Sequence, residues 1–282
     1  MRVLITGANG QLGRALKQVY PDAVAVDRDK LDITDPEAVA GFDWTSVAAI
    51  INAAAYTNVD GAQTPEGGLA AQQINADAVT NLAKAATVRD IPLIHISTDY
   101  VFDGTHKGPI PEDLPFSPLS VYGRTKAAGD VAAAKAPKHY IVRTSWVIGE
   151  GKNFVKTMLG LGGKGVSPAV VADQVGRPTF TGDLAAGIKH LLDSSAPYGT
   201  YNLTNEGEPV SWADLTREIF KLADYDELTV TNTTTAEYFA GRAGIAPRPL
   251  NSVLDLAKIE ATGFKRLDWA EALADYVAKE QS

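Results

Sequence analysis

The sequence predicts an α/β fold built on a doubly wound parallel sheet, and three observations carry that expectation. Five apolar runs, Val3-Leu4-Ile5, Ala23 to Val26, Ala48 to Ile51, Leu93 to Ile96 and Tyr140-Ile141-Val142, are continuous rather than alternating. Strands read that way when both faces of a sheet are covered. Between them lie helical stretches with their own start signals, and strand-helix repetition of this kind joins parallel strands by right-handed crossovers. A glycine-rich turn, Gly7-Ala8-Asn9-Gly10-Gln11-Leu12-Gly13, joins the first strand to the first helix.

The remaining elements follow in order. Asp35-Pro36 precedes a helix over Glu37 to Ala40, and Thr64-Pro65-Glu66 precedes a long helical stretch that ends near Arg89. In each, a capping side chain stands before a proline whose missing N–H costs nothing at the first helical position. From Thr98 to Ser120, Gly104, Gly108, Pro109, Pro111, Pro115 and Pro118 exclude long regular elements. Ser120 then caps a helix over Val121 to Ala134. After Trp146 the strand spacing loosens. Asn153 to Leu161, Asp183 to Leu192, Ser211 to Ala223 and Asp268 to Lys279 read as helices, and Ala169 to Ala172 and Leu228 to Thr231 as strands.

Composition narrows the function. The 282 residues, 45% hydrophobic, suffice for a sizeable core without a disulfide or metal. Absence of cysteine excludes a thiolate nucleophile, a thiolate zinc site and a Cys-bound iron-sulfur cluster, and points to a reducing compartment. With 26 Lys and Arg against 34 Asp and Glu, net charge is −8, and no basic stripe offers itself to nucleic acid. The N-terminus is too short in apolar residues for a signal peptide, and no run approaches the ~20 apolar residues of a membrane span. A cytoplasmic protein directed at small molecules is the expectation.

The glycine turn has the strand-helix context of a dinucleotide fingerprint, in which small residues let the backbone approach a pyrophosphate and the helix end attracts its charge. Its spacing is G-x-x-G-x-x-G. Asp27, 20 residues after Gly7, stands where a carboxylate takes ribose hydroxyls and favours NAD, whereas Arg28 beside it favours the 2′-phosphate of NADP. The residues allow both. Tyr122 and Lys126, four apart on a helix, share one face. A cation there would lower the phenol pKa, and such a pair exchanges protons with a carbonyl or alcohol. Ser97 and Thr98 end a strand at the sheet edge where ligands bind. His95, His106, His139 and His190 show no ligand spacing, so none is assigned to a metal.

Fingerprint, Ser97-Thr98 and Tyr122-x-x-x-Lys126, in that order, resemble the extended short-chain dehydrogenase/reductase superfamily. More specific stretches, Thr98-Asp99-Tyr100-Val101-Phe102-Asp103-Gly104, Arg143-Thr144-Ser145-Trp146 and Arg248-Pro249-Leu250-Asn251-Ser252, are similar to its branch that reduces 4-keto nucleotide sugars. The resemblance implies a Rossmann-type doubly wound parallel sheet, a dinucleotide-binding domain over 1–148, and a smaller C-terminal α/β substrate domain over 149–282 with segments returning to the first sheet. It implies that Thr98, Tyr122 and Lys126 are catalytic in reducing C4 of dTDP-4-dehydro-L-rhamnose with NADPH, NADH being possible. Gly7, Gly10, Gln11, Leu12, Gly13, Asp27, Arg28, Asp32, Ile33, Ala55, Tyr56, Thr57 and Ile96, with Tyr122 and Lys126, are the expected cofactor contacts. Val59, Thr98, Asp99, Trp146 and Asn153 are the expected sugar-nucleotide contacts. Read on residues alone, Asn153 is a helix cap, and Arg177 and Lys152 are solvated surface charges more readily than contacts to the substrate's diphosphate.

Two departures bear on alternatives. Some relatives bridge two subunits through a divalent cation held by acidic residues, one of them two positions after the last fingerprint glycine. Here Ala15 stands there, so no metal is expected, and the state is monomer or homodimer. Dehydratases of the superfamily follow the strand-end Thr with Asp then Glu, whereas here Asp99 precedes Tyr100. An epimerase or dehydratase, or a non-catalytic NADP-binding regulatory subunit such as that of methionine adenosyltransferase, remains the competing reading.

Overall fold

A computed structural model of the chain describes residues 2–281. Its centre is a six-stranded sheet. Five strands are β1 (Val3–Thr6), β2 (Val24–Val26), β3 (Ala49–Asn52), β4 (Leu93–Thr98) and β5 (His139–Thr144). The spatial order is Gly199–Asn202, β5, β4, β3, β1, β2, and every pairing is parallel. Order reverses at β1, which opens a crevice at the carboxyl ends of β1 and β3.

The continuous apolar runs have their expected cause. Val3 and Ile5 of β1 face helices α1 (Gln11–Val19) and Thr181–Asp193, packing with Leu12, Leu16, Leu184 and Ile188. Leu4, between them, enters the opposite layer with Val39 of α2 (Pro36–Gly41) and with Val79 and Leu82, beyond α3 (Pro65–Gln72), in α4 (Ala78–Arg89). All three β1 side chains are fully buried, each worth roughly 1.5–3 kcal/mol.

The chain after Trp146 builds a third core around Ile148, Val155, Met158, Phe220, Trp269 and Leu273. It also returns to the first sheet, because Thr181–Asp193 packs on α1 and Gly199–Asn202 pairs with β5. Two expectations change. The stretch from Thr64 to Arg89 is interrupted by a π turn over Gln73–Asp77, a feature common at functional sites. The late strand lies at Thr231–Thr233, alongside Ala169–Val171, rather than at Leu228 to Thr231. Leu228 and Val230 are drawn into the third core, which leaves the β-branched threonines to the exposed ladder.

Candidate active site

The nucleotide end is shaped by close backbone approach. Gly7 has φ +68°, and a Cβ there would come within 2.7 Å of the Ala54 backbone, while one on Gly13 would meet Gly7 O at 2.2 Å. Gly10 stands at the N-cap of α1 without a side-chain cap, which leaves first-turn N–H groups for an anion. A cavity of about 280 Å³ opens beside them, lined by Gly7, Gly10, Asp27, Arg28, Asp32, Ile33 and Ala55 among others. Asp27 accepts from the Asn9 N–H at 3.0 Å. Arg28 donates to Asp32 at 3.0 Å with its own side chain 81% exposed. Asp32 is held below the usual carboxylate range by the Thr34 hydroxyl first, against its burial, with the Thr34 N–H and Arg28 adding to the effect. These residues fit a dinucleotide: the cradle excludes any side chain, and both charge signs border the pocket.

Gly10, Ala53 and Ala55 also line a second cavity of about 410 Å³, shared with Gln11, Leu12, Thr57, Val59, Ile96, Thr98, Asp99, Tyr122, Lys126 and Trp146. Here β4 delivers Thr98, and α5 (Val121–Ala133), capped by Ser120, delivers Tyr122 and Lys126. Thr98 donates to Asp99 Oδ1 at 2.9 Å, and Ser252 donates to Asp99 Oδ2 at 2.5 Å. Serine, carboxylate and threonine thus form one chain. Thr98 and Tyr122 line the cavity together. Burial lifts the Asp99 pKa to about 6 against the hydrogen bonds that stabilise its charge.

One sequence expectation is reversed. Lys126 does not lower the Tyr122 pKa; burial raises it, and the Asp99 charge adds to the rise. The reason is where the amine goes: Lys126 Nζ donates to Ile96 O at 2.6 Å and lies 3.5 Å from His95 Nε2. Its own pKa is pushed down by burial to about 8.

Other expected residues divide. The Tyr56 backbone is clamped by Asn75 of the π turn, which accepts from Tyr56 N–H and donates to Tyr56 O and to Thr125 Oγ1. Tyr56 itself is absent from the linings of both cavities. Trp146 adopts a left-handed backbone, φ 49°, uncommon for a bulky residue, and stacks on Trp212 at 3.6 Å. Asn153 is spent on structure. Its Oδ1 caps Lys156 N–H and its Nδ2 donates to Gly149 O, Gly151 O and Tyr276 OH, so it does not reach the cavity. Arg177 is no solvated charge: it donates to Gly207 O at 2.7 Å and Leu254 O at 3.1 Å, whereas Lys152 is exposed. Ala15 is buried. Among the described residues no three His, Asp or Glu side chains gather as a metal site, and no helix is long and apolar enough to cross a membrane.

Sequence reasoning missed Asn75, His95, Asp130 and Ser252 as parts of this neighbourhood. A signal existed for two: Asp130 stands four residues after Lys126, as Lys126 does after Tyr122, and Ser252 closes the Arg248 to Ser252 stretch.

Residues 1–282 match the family model for the RmlD substrate binding domain. The chain is 42% identical to a dTDP-4-dehydrorhamnose reductase of Aggregatibacter actinomycetemcomitans, over 96% of this chain and 97% of that one. It is also 42% identical to a probable dTDP-4,6-dihydroxy-2-methyloxan-3-one 4-ketoreductase of Streptomyces antibioticus, over 98% and 94%. The crystal structure of a dTDP-4-dehydrorhamnose reductase from Bacillus anthracis in complex with NADP superposes with a TM-score of 0.89 at 36% identity, covering 99% of both chains. The chain belongs to the RmlD substrate binding domain family.

Proposed function

We propose that this family member reduces the C4 ketone of dTDP-4-dehydro-L-rhamnose to dTDP-L-rhamnose, with NADPH as hydride donor and NADH as an accepted second donor. The observation that carries this reading is the single cavity in which Thr98, Tyr122 and Lys126 meet, continuous with the glycine cradle through Gly10, Ala53 and Ala55.

The reduced nicotinamide supplies the hydride when bound. Tyr122 gives its phenol proton to the C4 oxygen. A raised pKa serves that direction, since the phenol stays protonated at neutral pH and is ready as an acid rather than a base. Thr98, whose hydroxyl proton rests on Asp99 Oδ1 before substrate arrives, turns it to the same oxygen. Lys126 would hold the nicotinamide ribose. General-acid help of this kind contributes roughly 10²–10⁴ in rate, and orientation of the two reactants contributes much of the rest. Val59, Asp99 and Trp146 contact the sugar nucleotide from the cavity wall.

Tyr100, where dehydratases carry the second carboxylate, packs edge-on against Tyr122 with ring centroids 5.5 Å apart, and burial raises its pKa. A neutral phenol there does not serve water elimination. We assign residues 1–148 to dinucleotide binding and 149–282 mainly to the substrate, and place the protein in the cytoplasm as a monomer or homodimer.

The test is incubation with dTDP-4-dehydro-L-rhamnose and NADPH, following absorbance and product. Stoichiometric cofactor oxidation with dTDP-L-rhamnose formed is the expected result. A changed sugar without net oxidation, or binding without turnover, overturns the reading.

A further inference from the structure

Behind Lys126, away from the cavity, lies a group of buried polar side chains that the reduction as described does not use. Asn52 on β3 is oriented by its neighbours: Thr6 hydroxyl donates to its Oδ1 at 2.7 Å and Ala54 N–H donates at 3.3 Å. Its Nδ2 therefore donates to His95 Nδ1, 3.2 Å away, which fixes the imidazole proton on Nε2. That N–H faces Lys126 Nζ at 3.5 Å and Asp130 Oδ1 at 3.8 Å. Asp130 Oδ1 is buried and makes no hydrogen bond, so its charge faces the His95 and Lys126 pair unshared. Asp130 Oδ2 in turn accepts from Arg143 Nε at 3.1 Å.

The surroundings leave Lys126 few alternatives. His95, Lys126, Asp130 and Arg143 are all buried. From β4 the amine meets His95, which burial and Lys126 itself keep neutral. Arg143, on β5, lies beyond Asp130, donates to Glu112 O at 2.8 Å and sits 5.1 Å from the rings of both Phe102 and Phe116. On the cavity side stand Asp99, which accepts from Thr98, and Tyr122. Asn52 on β3 and Asn75 in the π turn are uncharged. Close approach is built in, since a Cβ on Gly129 would meet Asn75 O at 2.1 Å and His95 Nε2 at 3.1 Å.

We propose that Asp130 is a positioning residue for Lys126: bonded to Arg143 through Oδ2 and with Oδ1 facing the His95 and Lys126 pair without a hydrogen bond, its carboxylate is the counter-charge that keeps the Lys126 side chain an ammonium. This rests on the proposed role of Lys126. Burial drives the amine toward its neutral form, and Asp130 is the group that opposes it. Arg143 competes for the same carboxylate, so the two neighbours of Asp130 should act in opposite directions.

The experiment measures NADPH affinity by calorimetry and kcat between pH 6 and 9.5 for the wild-type protein, Asp130→Asn, Arg143→Gln and Lys126→Met. The wild type should lose both binding and turnover as Lys126 deprotonates near pH 8. Asp130→Asn should move that alkaline limb down by about one pH unit in both measurements, while Arg143→Gln moves it up. Lys126→Met should lack the limb. A folded Asp130→Asn protein, judged by its circular dichroism, with an unmoved limb overturns the proposal. If that variant fails to fold, an Arg143→Gln limb that is unmoved or lower does the same. A limb that persists in Lys126→Met overturns the reading of Lys126 itself.

Discussion

The two ends of the dinucleotide cleft manage charge in opposite ways. At the nucleotide end, Arg28 and Asp32 pair at the surface, 81% and 30% exposed, and Asp27 holds one backbone N–H. Such charges are screened and exchange partners cheaply, so a ligand phosphate or hydroxyl can take the place of a protein partner. At the catalytic end, Asp99, Tyr122, Lys126 and Asp130 are withdrawn from water and their pKa values are displaced by burial first. Surface charge here selects, and buried charge sets protonation. Substitutions at the two ends should therefore differ in size and in kind.

The largest effect belongs to the buried phenol. Tyr122→Phe removes the proton donor and keeps the ring, so kcat should fall by about 10²–10⁴ while NADPH affinity, measured by fluorescence titration, changes little. Near-normal turnover in the Phe variant would take Tyr122 out of the chemical step and erase the contrast between the ends.

Next comes Asp99, whose folded pKa is raised from 3.8 to about 6. Between those values the folded protein keeps a proton that the unfolded chain releases, so Asp99 costs stability as pH rises through that window. The loss reaches roughly 3 kcal/mol above pH 6. Asp99→Asn removes this dependence: relative to wild type, its stability to urea should improve from pH 4 to pH 7. A wild-type kcat inflection near pH 6 is expected as Asp99 titrates, and Asp99→Asn should lack it. Equal pH dependence in the two proteins would mean that Asp99 is solvated despite its position.

How much of this was legible in the sequence follows from range. Val3-Leu4-Ile5 announces a doubly covered strand because alternate side chains enter two cores, and that is a local property. Tyr122 and Lys126 are legible because helix geometry fixes their common face. The direction of the Tyr122 pKa was not, since it depends on where Lys126 Nζ finds an acceptor, and Ile96 O comes from a strand 30 residues earlier. The π turn at Gln73–Asp77 was hidden for a related reason. Nothing in its composition breaks a helix, and Asn75 is held by Tyr56 and Thr125 from two other segments. Asn153 is a lesson in the bland reading, as its capping geometry uses the whole amide.

At the exposed end the expected change is small. Arg28→Ala removes the guanidinium available to a 2′-phosphate and frees Asp32, leaving Asp27 and Asp32 to repel it. The ratio of kcat/KM for NADPH over NADH should fall by about tenfold or less, the scale of one solvent-exposed charge contact of ~1 kcal/mol. An unchanged ratio would mean that another group reads the ribose.

The smallest effect is expected from chelation. A cation bridging two subunits through oxygen ligands needs about six of them, with carboxylates supplying most of the attraction. Ala15 puts a methyl group where the resembling metal-bridged relatives carry an acidic residue, and that methyl is buried in the core with Leu12 and Leu16. Each subunit then lacks one ligand and one negative charge. Asp22, the next acidic residue in the chain, lies beyond the end of α1 at Val19, and its backbone carbonyl accepts from Arg2. Glu150 is nearer in space, but it faces Arg14 at 3.6 Å, so its charge is already opposed by a cation. Light-scattering mass and NADPH oxidation should therefore both be the same with and without EDTA. A chelator-dependent fall in mass or rate would show that carboxylates from elsewhere on the surface assemble a cation site between subunits, and that exposed charge in this protein does more than select the cofactor.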